Sequence, residues 1–101
     1  MKKLINAADS TVDELLDGYL AAFPSLARLD GHKIVLRSDF ETVRDGGKVA
    51  IISGGGSGHE PAHAGYVGRG MLTAAVCGEV FTSPSTDAVL AALRSVTGPA
   101  G

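Results

Sequence analysis

The amino-acid sequence predicts an α/β fold: a mostly parallel sheet with flanking helices, forming the first part of a larger α/β domain. Two observations carry this. Short apolar runs without polar alternation, Val49–Ile52 and Met71–Val76, read as strands buried on both faces, as in a parallel sheet. Helical patterns lie before and after them, and strands connected by helices define the class.

Residues 11–23 are expected to form the first helix. Val12, Leu15, Leu16, Tyr19, Leu20 and Phe23 follow one apolar stripe at helical spacing. Thr11 and Glu14 have capping-box spacing, with Ser10 a second cap candidate, and Pro24 ends the helix because it disfavours helical geometry at the residue before it. Ile34–Leu36 is a short strand, and Asp45-Gly46-Gly47 marks a turn. Lys48–Ser53 is the strongest strand, and Met71–Val76 is the third. A second helix runs from Pro84 to Val96, with Ser83 as its cap and Gly98-Pro99 as its terminator.

With 101 residues the chain allows at most one domain, and 45% hydrophobic against 20% charged residues excludes a disordered tail. A formal net charge of -2 argues against a nucleic-acid binder, which would carry a basic stripe. Cys77 is the single cysteine, so no disulfide forms within the chain, and a reducing, cytoplasmic setting is expected. The basic start Met1-Lys2-Lys3 is broken by Asn6 and Asp9 before a signal-peptide core develops, and no apolar run is long enough for a transmembrane helix. No membrane association is expected.

The chemistry is expected in Ser53-Gly54-Gly55-Gly56-Ser57-Gly58-His59-Glu60-Pro61, read as a loop after the strongest strand. Four glycines in five positions let backbone N–H groups approach a ligand, at the strand end where α/β sheets bind theirs. A plain surface loop would need fewer glycines. No Lys follows as a Walker A loop requires, and the dinucleotide fingerprint fails because its sixth position is His59. His59-Glu60-Pro61-Ala62-His63 does match H-E-x-x-H, but Pro61 is out of place inside the helix that a zinc site needs, so no metal is expected. His59, with a reference pKa near 6.5, remains as an acid or base facing a ligand. Phe81–Thr86, after the third strand, is a helix cap that also borders the site in this reading.

These strings, together with Gly65-Tyr66-Val67-Gly68, Gly70-Met71-Leu72 and Gly78-Glu79-Val80-Phe81-Thr82-Ser83-Pro84, resemble the dihydroxyacetone kinase substrate-binding subunit. The start Met1–Asn6 fits the same family. The resemblance implies a two-domain protein several times longer, so that residues 1–101 are the N-terminal, incomplete part of the substrate-binding domain. It implies phosphorylation of dihydroxyacetone (glycerone), bound covalently on a histidine of a later domain. The phosphate donor, ATP or an ADP recharged by the phosphotransferase system, sits on a separate subunit or domain, so no cofactor is expected on this chain. On the matching positions, Gly56, Ser57, Gly58, His59 and Ser83 are expected at the substrate, with His59 as the catalytic acid/base. A nucleotide-binding kinase subunit and a homo-oligomeric, dimeric state are the implied partners. His32 and His63 come too early to be the covalent histidine, and the family's Lys and catalytic Asp have no counterpart, so the chain alone is expected to be inactive. The alternatives are a ligand-sensing transcriptional coactivator, a kinase for another short ketose such as erythrulose, and, outside the family, a zinc hydrolase using His59 and His63.

Overall fold

A computed structural model describes residues 7–58 and 60–101; Met1–Asn6 and the expected catalytic residue His59 lie outside the described residues. Three α-helices, α1 (Thr11–Ala22), α2 (Phe40–Asp45) and α3 (Thr86–Val96), accompany four strands, β1 (Leu26–Arg28), β2 (Ile34–Arg37), β3 (Ile52–Ser57) and β4 (Ala74–Val80). The strands form one sheet in the order β1-β2-β4-β3. The α/β class therefore holds, with helices on both faces. The expected mostly parallel sheet is corrected to a mixed one: only β3 and β4 are parallel, while β1–β2 and β2–β4 are antiparallel. The physical reason is local. β1 and β2 are joined by a short turn through Gly31 at φ 77, closed by His32 N–H donating to the Leu29 carbonyl, and so tight a connection permits only antiparallel neighbours.

Side chains alternate across β2 and β4 to make two cores. Val35, Ala75 and Cys77 pack with Val12 and Leu16 of α1 on one face. Ile34, Leu36, Ala74 and Val76 pack with Ala92 and Val96 of α3 on the other. Alanines at Ala74 and Ala75 bring the helices close to the sheet, while Ile34, Val35 and Leu36 supply the bulk. Arg28 fastens β1 to α1 through Asp13 and Asp17 and also donates to the His32 carbonyl. Its guanidinium, hydrogen-bonded to Asp13, holds that carboxyl below the usual carboxylate range.

Several element boundaries differ from the expected ones, each for a local reason. α1 forms as expected, but its buried stripe narrows to Val12 and Leu16; Leu15 is exposed, and Phe23 is half exposed with its ring 4.8 Å from that of Tyr19. The strand expected at Lys48–Ser53 is displaced toward the glycines. The ladder with β4 starts at Ile52↔Ala74, so Val49 and Ile51 overhang the sheet at 63% and 55% exposure. The strand expected at Met71–Val76 starts three residues later, because a turn ties Met71 N–H to Gly68 and Gly68 N–H to Leu72. α3 starts at Thr86, capped by Ser85 rather than Ser83, with the Ser85 hydroxyl accepting Ala88 N–H at 3.2 Å. Ser85→Ala should accordingly lower stability by about 1 kcal/mol, read as a lower urea midpoint, while Ser83→Ala should leave the midpoint unchanged. α2 occupies part of the segment expected to be only polar loop and turn.

Candidate functional site

The glycine-rich motif is not a loop after a strand: Ser53 to Ser57 lie within β3, paired to β4 as Ser53↔Ala75, Gly54↔Val76, Gly55↔Cys77 and Ser57↔Val80, with an irregularity between Gly55 and Ser57. The expected nest of converging amides is therefore corrected. What the missing side chains allow is close packing. A Cβ on Gly56 would stand 2.6 Å from Thr82 N and 2.9 Å from the Phe81 carbonyl carbon. A Cβ on Gly55 would stand 2.6 Å from Nε2 of His63. Gly58, at φ 120, lies against the Phe81 ring. Phe81 itself sits at φ 50 and donates its N–H to the Ser57 carbonyl at 2.5 Å.

The two polar motifs singled out in the sequence thus meet where the parallel pair ends. Gly56 and Gly58 lie against Phe81–Thr82, the segment that leads to Ser83. Ser57 is buried, and its hydroxyl donates to the Gly78 carbonyl at 2.9 Å. It fastens β3 to β4 instead of presenting a hydroxyl outward. Glu60 accepts the Gly58 N–H at 2.8 Å. His63 Nδ1 is 3.0 Å from the Ser53 hydroxyl oxygen. The Glu60–His63 stretch is turn, followed by a short 3-10 helix at Ala64–Tyr66, so it lacks the α-helical frame of the H-E-x-x-H zinc motif.

Ser83 lies in a cleft of about 320 Å³ lined also by His32, Lys33, Cys77, Glu79 and Ser85. Sequence reasoning did not place His32, Lys33 and Glu79 there; Glu79 falls in one of the strings that carry the resemblance, while no motif marks His32 and Lys33. They converge because β2 and β4 are neighbours, with Lys33 Nζ 3.0 Å from Glu79 Oε1. Burial, reinforced by the negative charge of Glu60, pushes the Cys77 thiol up to about 11. The thiolate is the reactive form. At pH 8 a shift from 9.0 to about 11 lowers its fraction about a hundredfold relative to an unshifted thiol. Cys77 should therefore react slowly with a disulfide reagent in the folded chain and rapidly in urea; equal rates would show that the thiol is accessible.

The Dak1 domain model matches residues 17–101. The chain belongs to the Dak1 domain family. It is 53% identical over 95 residues to the bovine (Bos taurus) triokinase/FMN cyclase, covering 94% of this chain and 16% of that protein. It is 46% identical over 102 residues to the dihydroxyacetone-binding subunit DhaK of the PTS-dependent dihydroxyacetone kinase 1 of Listeria innocua, covering 100% of this chain and 30% of that subunit. The crystal structure of the dihydroxyacetone kinase of C. freundii in its native form superposes with a TM-score of 0.89 at 51% identity, over 99% of this chain and 19% of that one. This Dak1 chain thus spans less than a third of the length of each of these relatives. Among its described residues no helix is long and apolar enough to cross a membrane.

Proposed function

We propose that this chain forms the first part of the substrate-binding domain of a dihydroxyacetone kinase and contributes one wall of the ketose site. The observation that carries the reading is the packing of Gly56 and Gly58 against Phe81–Thr82 at the carboxyl end of the parallel pair, in a chain 46% identical to a dihydroxyacetone-binding subunit. Ligands of α/β sheets bind at that edge. In this reading the backbone at Gly56 and Gly58 borders a small polar ketose, Ser83 offers a hydroxyl, and His59 exchanges a proton with a substrate hydroxyl. Ser57 acts by holding β3 to β4 through Gly78. The phosphate comes from ATP or ADP-bound phosphate on a separate nucleotide-binding subunit or domain, and the complete protein works as a cytoplasmic homo-oligomer.

The test is amide NMR of the labelled chain titrated with dihydroxyacetone, with glycerol as the control. Dihydroxyacetone should shift Gly56, Gly58 and Ser83 more than glycerol does. Shifts confined to the termini, or equal for both compounds, would remove the reading.

A further inference from the structure

A second polar region lies at the amino end of the parallel pair, away from the cleft of Ser83. Two adjoining clefts there share Arg37 and Arg69. One, of about 300 Å³, is lined also by Ser25, Ser38 and Asp39; the other, of about 230 Å³, by Lys48, Ile51 and Met71. Arg37 is the fixed part. It ends β2, its side chain is only 12% exposed, and its Nε and Nη2 donate to the Asp39 carboxylate at 2.8 and 2.7 Å. The Nη1 corner has no hydrogen-bond partner among the described residues and still reaches solvent. Largely burying a guanidinium while part of its donor set stays unused is costly, so that corner needs an account.

Arg69 is brought to the same place by a defined turn. Met71 N–H donates to the Gly68 carbonyl at 3.0 Å across Arg69 and Gly70, and Gly70 takes φ 76, so Arg69 stands at the corner before a left-handed glycine. Gly68 N–H bonds the Leu72 carbonyl and Leu72 N–H the Tyr66 carbonyl, which ties the stem of the turn. Neither Arg69 nor Lys48 forms an ion pair with another described residue. Asp39 is the only acid lining either cleft, and Arg37 already engages it. The Arg37 hydrogen bonds hold the Asp39 carboxyl below the usual carboxylate range, and the charge of Arg69 adds to the effect. Three cations and one carboxylate leave two positive charges here, on a chain whose formal net charge is -2. We propose that Arg37, Arg69 and Lys48 form a binding site for a phosphate group, free or carried on a small ester. Guanidinium groups pair with such oxyanions through charge-assisted, often bidentate hydrogen bonds, and a dianion matches the local charge. Ile51 and Met71, both more than half exposed, give the organic part of an ester an apolar wall. The site shares no residue with the cleft of Ser83 and stands independently of the ketose reading.

The experiment is NMR of the nitrogen-labelled 101-residue chain, reading the arginine Nε–H signals and the amides of Gly68 and Gly70. The chain is titrated with inorganic phosphate, with phenyl phosphate, and with sodium chloride at matched ionic strength. Both phosphates should shift Arg37, Arg69 and the two glycines along saturable curves, and chloride should not. Tighter binding of phenyl phosphate would support an ester as the ligand; equal affinities would support free phosphate. Arg69→Ala should weaken binding about tenfold, the loss of one charge-assisted contact, and Arg69→Lys should restore part of it. Arg94→Ala removes the same charge from an exposed position of α3 and should leave binding unchanged. Arg69 is exposed as well, so neither alanine variant removes a core contact. Shifts that chloride reproduces, an equal loss in Arg69→Ala and Arg94→Ala, or a phosphate response confined to other residues would each overturn the proposal.

Discussion

Gly78→Ala should destabilise the chain by about 3 kcal/mol, at the upper end of the usual range for overpacking. Gly78 is buried in β4, and a Cβ added to it would collide with the Thr82 carbonyl oxygen and stand 2.9 Å from Pro84 N. Both obstacles are backbone, so no rotamer change relieves them. The segment Thr82–Pro84 would have to move away, taking Ser83 with it and opening the contact between Gly56 and Thr82. The same displacement would strain the hydrogen bond from the Ser57 hydroxyl to the Gly78 carbonyl. A substitution of one methyl group should therefore act on stability and on the candidate site together. Gly18→Ala is the matched control, because Gly18 lies in α1 with nothing within 4 Å of the place its methyl group would take. It should raise stability by up to about 1 kcal/mol, since glycine is a poor helix former. Urea midpoints for the two variants, moving in opposite directions, would support the packing argument; a Gly78→Ala midpoint equal to wild type would contradict it.

The contrast between these glycines shows what the sequence disclosed and what it withheld. Periodicity was sufficient for α1, whose stripe against a sheet face is written at helical spacing, and the start and stop signals around Pro84–Val96 were sufficient for most of α3. The placement of β3 was not legible in the same way. Its apolar half, Val49–Ile51, looks like a buried strand, yet the ladder is made by Ile52–Ser57, where glycines are poor strand formers by propensity. Tertiary contact decides the matter: β4 offers a parallel edge, and His63 and Phe81–Thr82 pack so closely that side chains at Gly55 and Gly56 would collide with them. The antiparallel hairpin of β1 and β2 had a local signal in Asp30-Gly31, a turn dipeptide between short apolar segments. The cleft residues Lys33 and Glu79 had none, since nothing in the sequence announces that β2 and β4, so far apart along the chain, lie side by side. The family was legible for a different reason. Its glycine and Ser-Pro strings are dictated by backbone contacts, and such contacts tolerate few substitutions.

His59→Ala, made in the complete subunit with its phosphate-donor partner, should lower turnover by about 10²–10⁴-fold while moving stability little. The size follows from the role proposed for the residue. For a primary hydroxyl to attack phosphorus its proton must depart, and a neutral imidazole within hydrogen-bond reach takes it. Ser57 is tied to Gly78, Gly58 N–H is tied to Glu60, and His63 is tied to Ser53. If His59 had only a structural role, its loss would cost about 0.5–1.5 kcal/mol of stability and little rate. Turnover and melting temperature measured on the same variant therefore separate the two roles. A large loss of rate at nearly constant melting temperature places His59 in the proton transfer. Near-normal turnover with a lowered melting temperature would make it structural, and the acid/base assignment would fall.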